Sequence, residues 1–177
     1  MADLLFFLDF DDTLHPTWKF RVREDGREVA APYDGPPLVH APLLDALLAP
    51  YAERIEIVIS SWWAYTRQLD TIRDMLPPRL AAQVVDSIWL DELKKYGAPD
   101  YRSHFATRYA CIDLWLRRRR PNYAGPWLAL DDDANSWPQD QRHHLVHAWG
   151  TLGQPRVQAE LVAALQRELP TVLRRDK

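Results

Sequence analysis

Short apolar runs alternate with amphipathic stretches along the whole chain. Leu4–Leu8 is apolar throughout and stops at Asp9, the pattern of a strand buried on both faces of a parallel sheet. Ile55–Ile59 is rich in β-branched residues and ends at Ser60, and predicts a second buried strand. Gln83–Leu90 carries a third, Trp127–Leu130 a fourth that ends at Asp131, and Leu145–Trp149 a fifth. Between them the period changes. Leu38–Leu48 places Leu43, Leu44, Leu47 and Leu48 on one helical face. Thr66–Leu76 reads as a helix stopped by Pro77 and Pro78. Phe105–Arg118 is a helix with Ile112 and Trp115 facing inward, and Pro121 lies just past it. Pro155–Leu169 is the last, with Pro155 near its start. Trp18–Val29 stands apart as a hairpin, with WKFRV and REV alternating around Glu24-Asp25-Gly26, followed by a turn-rich linker over Pro32–Pro37.

Strands that alternate with helices predict an α/β fold with three layers and a Rossmann-like, mostly parallel sheet of five strands. Such sheets bind ligands beyond the carboxyl ends of their strands, and Asp9, Ser60 and Asp131 each fall there. No repeat or internal boundary divides the chain, so residues 1–177 are expected to form one domain. Residues 15–37 would be its flap or minimal cap, and 77–104 a second accessory stretch.

Composition sharpens this picture in two places. Of the 25 acidic residues 18 are Asp, and six of those stand in two clusters, Asp9/Asp11/Asp12 and Asp131/Asp132/Asp133. The six glycines offer neither G-x-G-x-x-G nor G-x-x-x-x-G-K-[ST], which argues against a glycine-loop dinucleotide site and a P-loop. A net charge of −3 predicts no strong global attraction to nucleic acid. Cys111 is alone, which excludes a disulfide framework and a cysteine-rich zinc site. The apolar runs are too short to span a membrane and no basic segment precedes the first, so a cytoplasmic protein is the expectation.

The chemistry collects at the strand ends. In Asp9-Phe10-Asp11-Asp12-Thr13-Leu14 a short turn could aim Asp9 and Asp11 at one small volume. Two carboxylates that close repel unless a cation or proton lies between them, and Mg²⁺ takes such oxygen ligands. One carboxylate could then attack phosphorus while the other handles the proton of the leaving group. The bland reading is a polar turn in which Asp12 or Thr13 caps a helix. Asp131-Asp132-Asp133 is either an exposed acidic loop or the rest of a metal shell. Ser60 and Ser61 could bind a phosphate oxygen or cap a helix. A phosphate site also needs a fixed cation, and Arg108 and Lys95 compete for that place. Trp62, Trp63 and Trp137 follow the strand ends and could stack a base, although tryptophans more often fill cores. The run Arg117–Arg120 reads as a solvated helix end, and His143, His144 and His147 as structural.

LFFLDFDDTL resembles the first motif of the haloacid dehalogenase (HAD) superfamily of phosphohydrolases. IVISSW is similar to that superfamily's second motif and LALDDD to its fourth, in the right order. The third motif is normally a lysine before the fourth strand. This chain has Arg108 there, within TRYACIDLWL. HHLVHAWGTLGQPRVQAEL resembles the closing strand and helix of compact members. The SSW and RxxxIxxWL patterns look closest to a small bacterial HAD branch with relatives associated with RNA repair.

The resemblance implies a Mg²⁺-dependent phosphomonoesterase that works through an aspartyl-phosphate. Asp9 would be nucleophile and metal ligand, and Asp11 the general acid/base with its carbonyl on the metal. Ser60 would hold phosphate, Asp131 and Asp132 would complete the metal shell, and Thr13 would brace the loop. The substrate would be a phosphorylated small molecule or a nucleic-acid end, with no membrane and no obligate protein partner implied. Two other readings stand beside it: a phosphate- or nucleic-acid-binding module of the same fold with weakened catalysis, and a receiver-like phosphoacceptor domain.

Overall fold

The computed structural model describes residues 2–23, 26–89, 107–135 and 137–170. Its core is a sheet of five parallel strands, in spatial order β5-β4-β1-β6-β7. These are β1 (Leu4–Leu8), β4 (Ile55–Ile59), β5 (Val84–Ser87), β6 (Trp127–Asp131) and β7 (Leu145–His147). The sheet grows outward from β1 through β4 to β5, then returns to the other side of β1 for β6 and β7. That reversal at β1 is the switch point at which open α/β sheets place their ligands.

Every residue of β1 is buried, as its continuous apolar run requires of a central strand. Phe7 makes edge-on contacts with Trp115 at 5.5 Å and Trp127 at 5.7 Å. The register is level on both sides: Leu8 faces Ile59 in β4 and Leu130 in β6. The next residues, Asp9, Ser60 and Asp131, therefore stand side by side on one edge. Helices α1 (Ala41–Leu48), α5 (Arg108–Arg119) and α6 (Pro155–Glu168) turn Leu44, Leu48, Ile112, Trp115, Leu161 and Leu165 into the core.

The hairpin is present with a longer second arm than expected. β2 (Trp18–Val22) pairs with β3 (Glu28–Pro32), Trp18 facing Pro32, so the second arm reaches into the expected linker. The helix expected over Thr66–Leu76 is two short ones, α2 (Trp63–Thr66) and α3 (Leu69–Asp74). Arg67 breaks them with an extended backbone, φ −124° and ψ 154°, and lays its guanidinium 4.6 Å over the Trp63 ring. Gln83, expected in the third strand, closes α4 (Pro78–Gln83), where Pro78 opens the helix instead of ending one. The fifth strand stops at His147 because the Trp149 N–H folds back onto the His147 carbonyl at 2.8 Å. Among the described residues no helix is long and apolar enough to cross a membrane.

Candidate active site

The loop after β1 is wound around one carbonyl. Phe10 O accepts from the N–H groups of Thr13, Leu14 and His15 at 3.1, 2.8 and 2.8 Å. Asp12 takes a left-handed conformation, φ 51°, which Asp tolerates better than most residues. Its carboxylate is consumed locally, accepting from Thr17 N–H at 2.8 Å and from the Thr17 hydroxyl at 2.8 and 2.6 Å. Asp12 thus locks the turn, and the turn sends Asp9 and Asp11 to different partners. Asp9 is 1% exposed and accepts from the buried Thr13 hydroxyl at 3.3 Å. Asp11 Oδ1 accepts from the indole N–H of Trp63 at 2.9 Å.

The end of β6 supplies the second wall. Asp131 is fully buried, and its Oδ1 accepts from Asp133 N–H at 3.0 Å. Asp132 O lies 2.9 Å from His147 Nε2, which ties that loop to β7. Carboxylate oxygens of Asp9, Asp131 and Asp132 all lie within 4.8 Å of one another. Asp11 does not join this set, because its carboxylate is held by Trp63. Asp133 turns aside to accept from Asn135 N–H at 3.0 Å.

Arg108, the first residue of α5, reaches over this cluster. Its Nη2 donates to Asp9 Oδ1 at 3.1 Å, its Nε lies 3.0 Å from Asp131 Oδ2, and its Nη1 donates to the Ser60 carbonyl. The Asp131 approach is an ionic contact rather than a directed hydrogen bond. Thr107 caps α5 by accepting from Ala110 N–H at 3.1 Å, which fixes the turn that aims Arg108. Lys95, the competing cation, lies outside the described residues.

Burial dominates the electrostatics. It pushes the Asp9 carboxyl well above the usual carboxylate range; Arg108 opposes the shift, and Asp131 and Asp132 add to it. Asp131 is pushed up to about 6 by burial, again against Arg108. Asp132 is raised by burial and by the neighbouring Asp12. One guanidinium therefore does not neutralise the cluster. The Ser60 hydroxyl is buried on the same edge and has no hydrogen-bond partner among the described residues.

The other candidates are spoken for. Ser61 Oγ accepts from Trp63 N–H at 3.4 Å, and its carbonyl accepts from Trp89 Nε1 at 2.6 Å. Trp62 stacks on Tyr65 at 4.5 Å and meets Trp89 edge-on. Trp137 is buried with Trp127 and Tyr109 in the core. The Trp63–Asp11 bond was not legible beforehand, since it joins residues far apart in sequence and its only signal was an aromatic after the second strand end.

The model of the family described as the HAD domain in Swiss Army Knife RNA repair proteins matches residues 5–157. That span runs from β1 into α6 and holds every residue of the strand-end cluster. No curated protein and no solved structure matches the chain. On this match, and with a parallel sheet that ends Asp9, Ser60 and Asp131 on one edge, the chain belongs to the family of HAD domains found in Swiss Army Knife RNA repair proteins.

Proposed function

We propose that this HAD domain is a phosphohydrolase that removes a phosphoryl group from a monoester through Asp9, with Mg²⁺ as cofactor. The observation that carries the reading is the set of three carboxylates, Asp9, Asp131 and Asp132, on one edge beside Arg108 and a buried Ser60 hydroxyl that has no hydrogen-bond partner among the described residues. An all-oxygen donor set with excess buried negative charge fits a hard divalent cation. Asp9, Asp131 and Asp132 would hold Mg²⁺, which when bound offsets charge on the phosphate and on the carboxylates.

The chain's own groups account for the remaining chemistry. Thr13 and Arg108 hold the two oxygens of Asp9 and so orient its carboxylate for in-line attack. An Asp9 oxygen bonds to phosphorus as the ester P–O bond breaks, and the leaving oxygen takes its proton from Asp11. Asp11 then removes a proton from water, whose oxygen displaces Asp9 and yields inorganic phosphate. Trp63 holds Asp11 for both transfers. Ser60 donates to a phosphate oxygen, and Arg108 fills the cation role with Lys95 as the other candidate. The hairpin over 15–37 acts as a minimal cap, and a site so lightly covered admits a polymer end. The family's description as RNA repair favours a phosphorylated nucleic-acid end over a small metabolite.

A second reading draws on Arg108 itself. Its guanidinium already contacts Asp9 and Asp131, so a fixed cation would stand in for metal in a binding module without turnover. Phosphate release separates the two. Purified protein with Mg²⁺ is expected to release phosphate from 3′- or 5′-phosphorylated oligonucleotides, and Asp9→Asn to lower the rate about a thousandfold or more. Oligonucleotide binding with no release under any divalent metal would favour the binding module.

A further inference from the structure

Three large aromatic side chains are left to solvent around one groove. Trp18 is 59% exposed, Phe20 74% and Trp149 75%. Trp18 and Phe20 are two residues apart in β2, so strand alternation sets both on the same face of the hairpin. Trp149 stands across from them on the turn after β7. That turn is firmly built. Ala148 N–H donates to Asp131 O at 2.9 Å, Gly150 takes φ 77°, and the Thr151 hydroxyl meets His40 Nε2 at 3.1 Å. All three aromatics line a groove of about 550 Å³.

The groove borders the acidic centre, since Asp132, together with the turn-locking Asp12, is among its lining residues. A volume of this order suits a ligand of one or a few rings and not a folded protein surface. Its walls offer three flat π-faces, with Asp12, Asp132, Thr151 and Gln154 as the polar groups between them. That combination suits nucleobases, which present a π-face whatever their identity, and only unpaired bases have faces free to stack.

We propose that Trp18, Phe20 and Trp149 form a stacking clamp for the terminal bases of a single-stranded nucleic acid whose end phosphate lies on the Asp9 edge. The clamp makes this domain an end-processing module for single strands, with little preference for base identity. It rests on the phosphohydrolase reading for the placement of the phosphate, while the stacking is measurable without turnover.

The test uses the full chain and a short single-stranded oligoribonucleotide with a terminal phosphate. Quenching of tryptophan fluorescence or fluorescence anisotropy in EDTA gives Kd. Trp149→Ala and Phe20→Ala are each expected to weaken binding about tenfold, and Trp149→Phe to recover most of the loss. With Mg²⁺, the ratio of kcat/KM on the oligonucleotide to that on glycerol phosphate is expected to fall by a similar factor in Trp149→Ala. Unchanged Kd in both alanine variants would overturn the clamp. So would equal affinity for a blunt phosphorylated duplex, or tighter binding of a phosphopeptide that needs no aromatic. Mass that rises with concentration and is abolished by Trp149→Ala, with oligonucleotide binding untouched, would assign the face to a second copy instead. If the oligonucleotide binds and the variants lose it, yet nothing is hydrolysed, the clamp stands and the phosphohydrolase reading falls.

Discussion

Arg108 is the residue on which the charge balance of the strand ends depends. Its guanidinium contacts Asp9 and Asp131, both buried, and opposes the upward push of burial on each carboxyl. Arg108→Ala would leave those carboxylates with their hydrogen bonds from Thr13 and Asp133 N–H but without their cation, which costs about 3 kcal/mol when one member of a buried ion pair is removed. Urea unfolding in EDTA is expected to show that loss, with a good part recovered by Mg²⁺, because a ligand that binds only the native state stabilises it. Arg108→Lys should fall between, since a compact ammonium cannot span Asp9, Asp131 and the Ser60 carbonyl together as the planar fork does. An alanine variant that unfolds at the wild-type urea concentration would mean that the cluster discharges by some other route. Much of this site was readable beforehand, because acids that terminate apolar strands announce a sheet edge. Arg108 was readable as a cation near the start of a helix leading into the next strand. What stayed hidden was the division of labour within Asp9-Phe10-Asp11-Asp12. The spacing of three acids does not say that Asp12 is consumed by Thr17 or that Asp11 is held by Trp63.

At the scale of elements, α5 converts a backbone feature into a position in the site. Thr107 is the N-cap and Arg108 the first helical residue, so the same turn satisfies Ala110 N–H and aims the guanidinium. Thr107→Ala is expected to cost about 1 kcal/mol, which lowers Tm by about 2–4 °C in a chain of this size. It should also raise KM for a phosphomonoester several-fold by letting the first turn fray, and Thr107→Ser should restore both. A change in Tm without a change in KM would separate the cap from the site. The elements themselves follow the chain's patterning unevenly. Strands β1, β4 and β6 lie where continuous apolar runs place them, because burial on both faces leaves little freedom of register. The connections were less legible. The break at Arg67 coincides with a cation–π contact to Trp63, and α4 begins at Pro78 in a stretch that looks like a stop. The hairpin's second arm reaches Pro32 because a proline is tolerated at the end of an edge strand, a position that a turn-rich composition does not reveal.

At the scale of the whole molecule, the sheet holds β1 and β6 in register whatever the charge state of the residues that follow them. Repulsion among Asp9, Asp131 and Asp132 therefore has no route to relax by separation, and it is relieved by a proton or a cation. An unfolded Asp titrates near 3.9, while burial holds Asp131 at about 6 and Asp9 well above its ordinary value. Between about pH 4 and 6 the native state keeps protons that the unfolded chain releases, so these groups favour folding most at the acid end. The share of Asp131, on the order of 3 kcal/mol, is lost as pH rises through about 6, and that of Asp9 is lost in the same sense as its own raised carboxyl ionises, the reverse of a salt-bridged Asp. A divalent cation replaces those protons, so its binding must strengthen with pH until the carboxyls are ionised. The informative quantity is the difference in Tm with Mg²⁺ and with EDTA, measured from pH 4.5 to 8. Groups elsewhere titrate alike in the two samples and cancel. The difference is expected to be small at pH 4.5 and to grow as pH rises through about 6, where Asp131 ionises, and Asp131→Asn should flatten that rise. A difference that is constant with pH, or that shrinks as pH rises, would mean that the cation does not bind at the carboxylates on this edge.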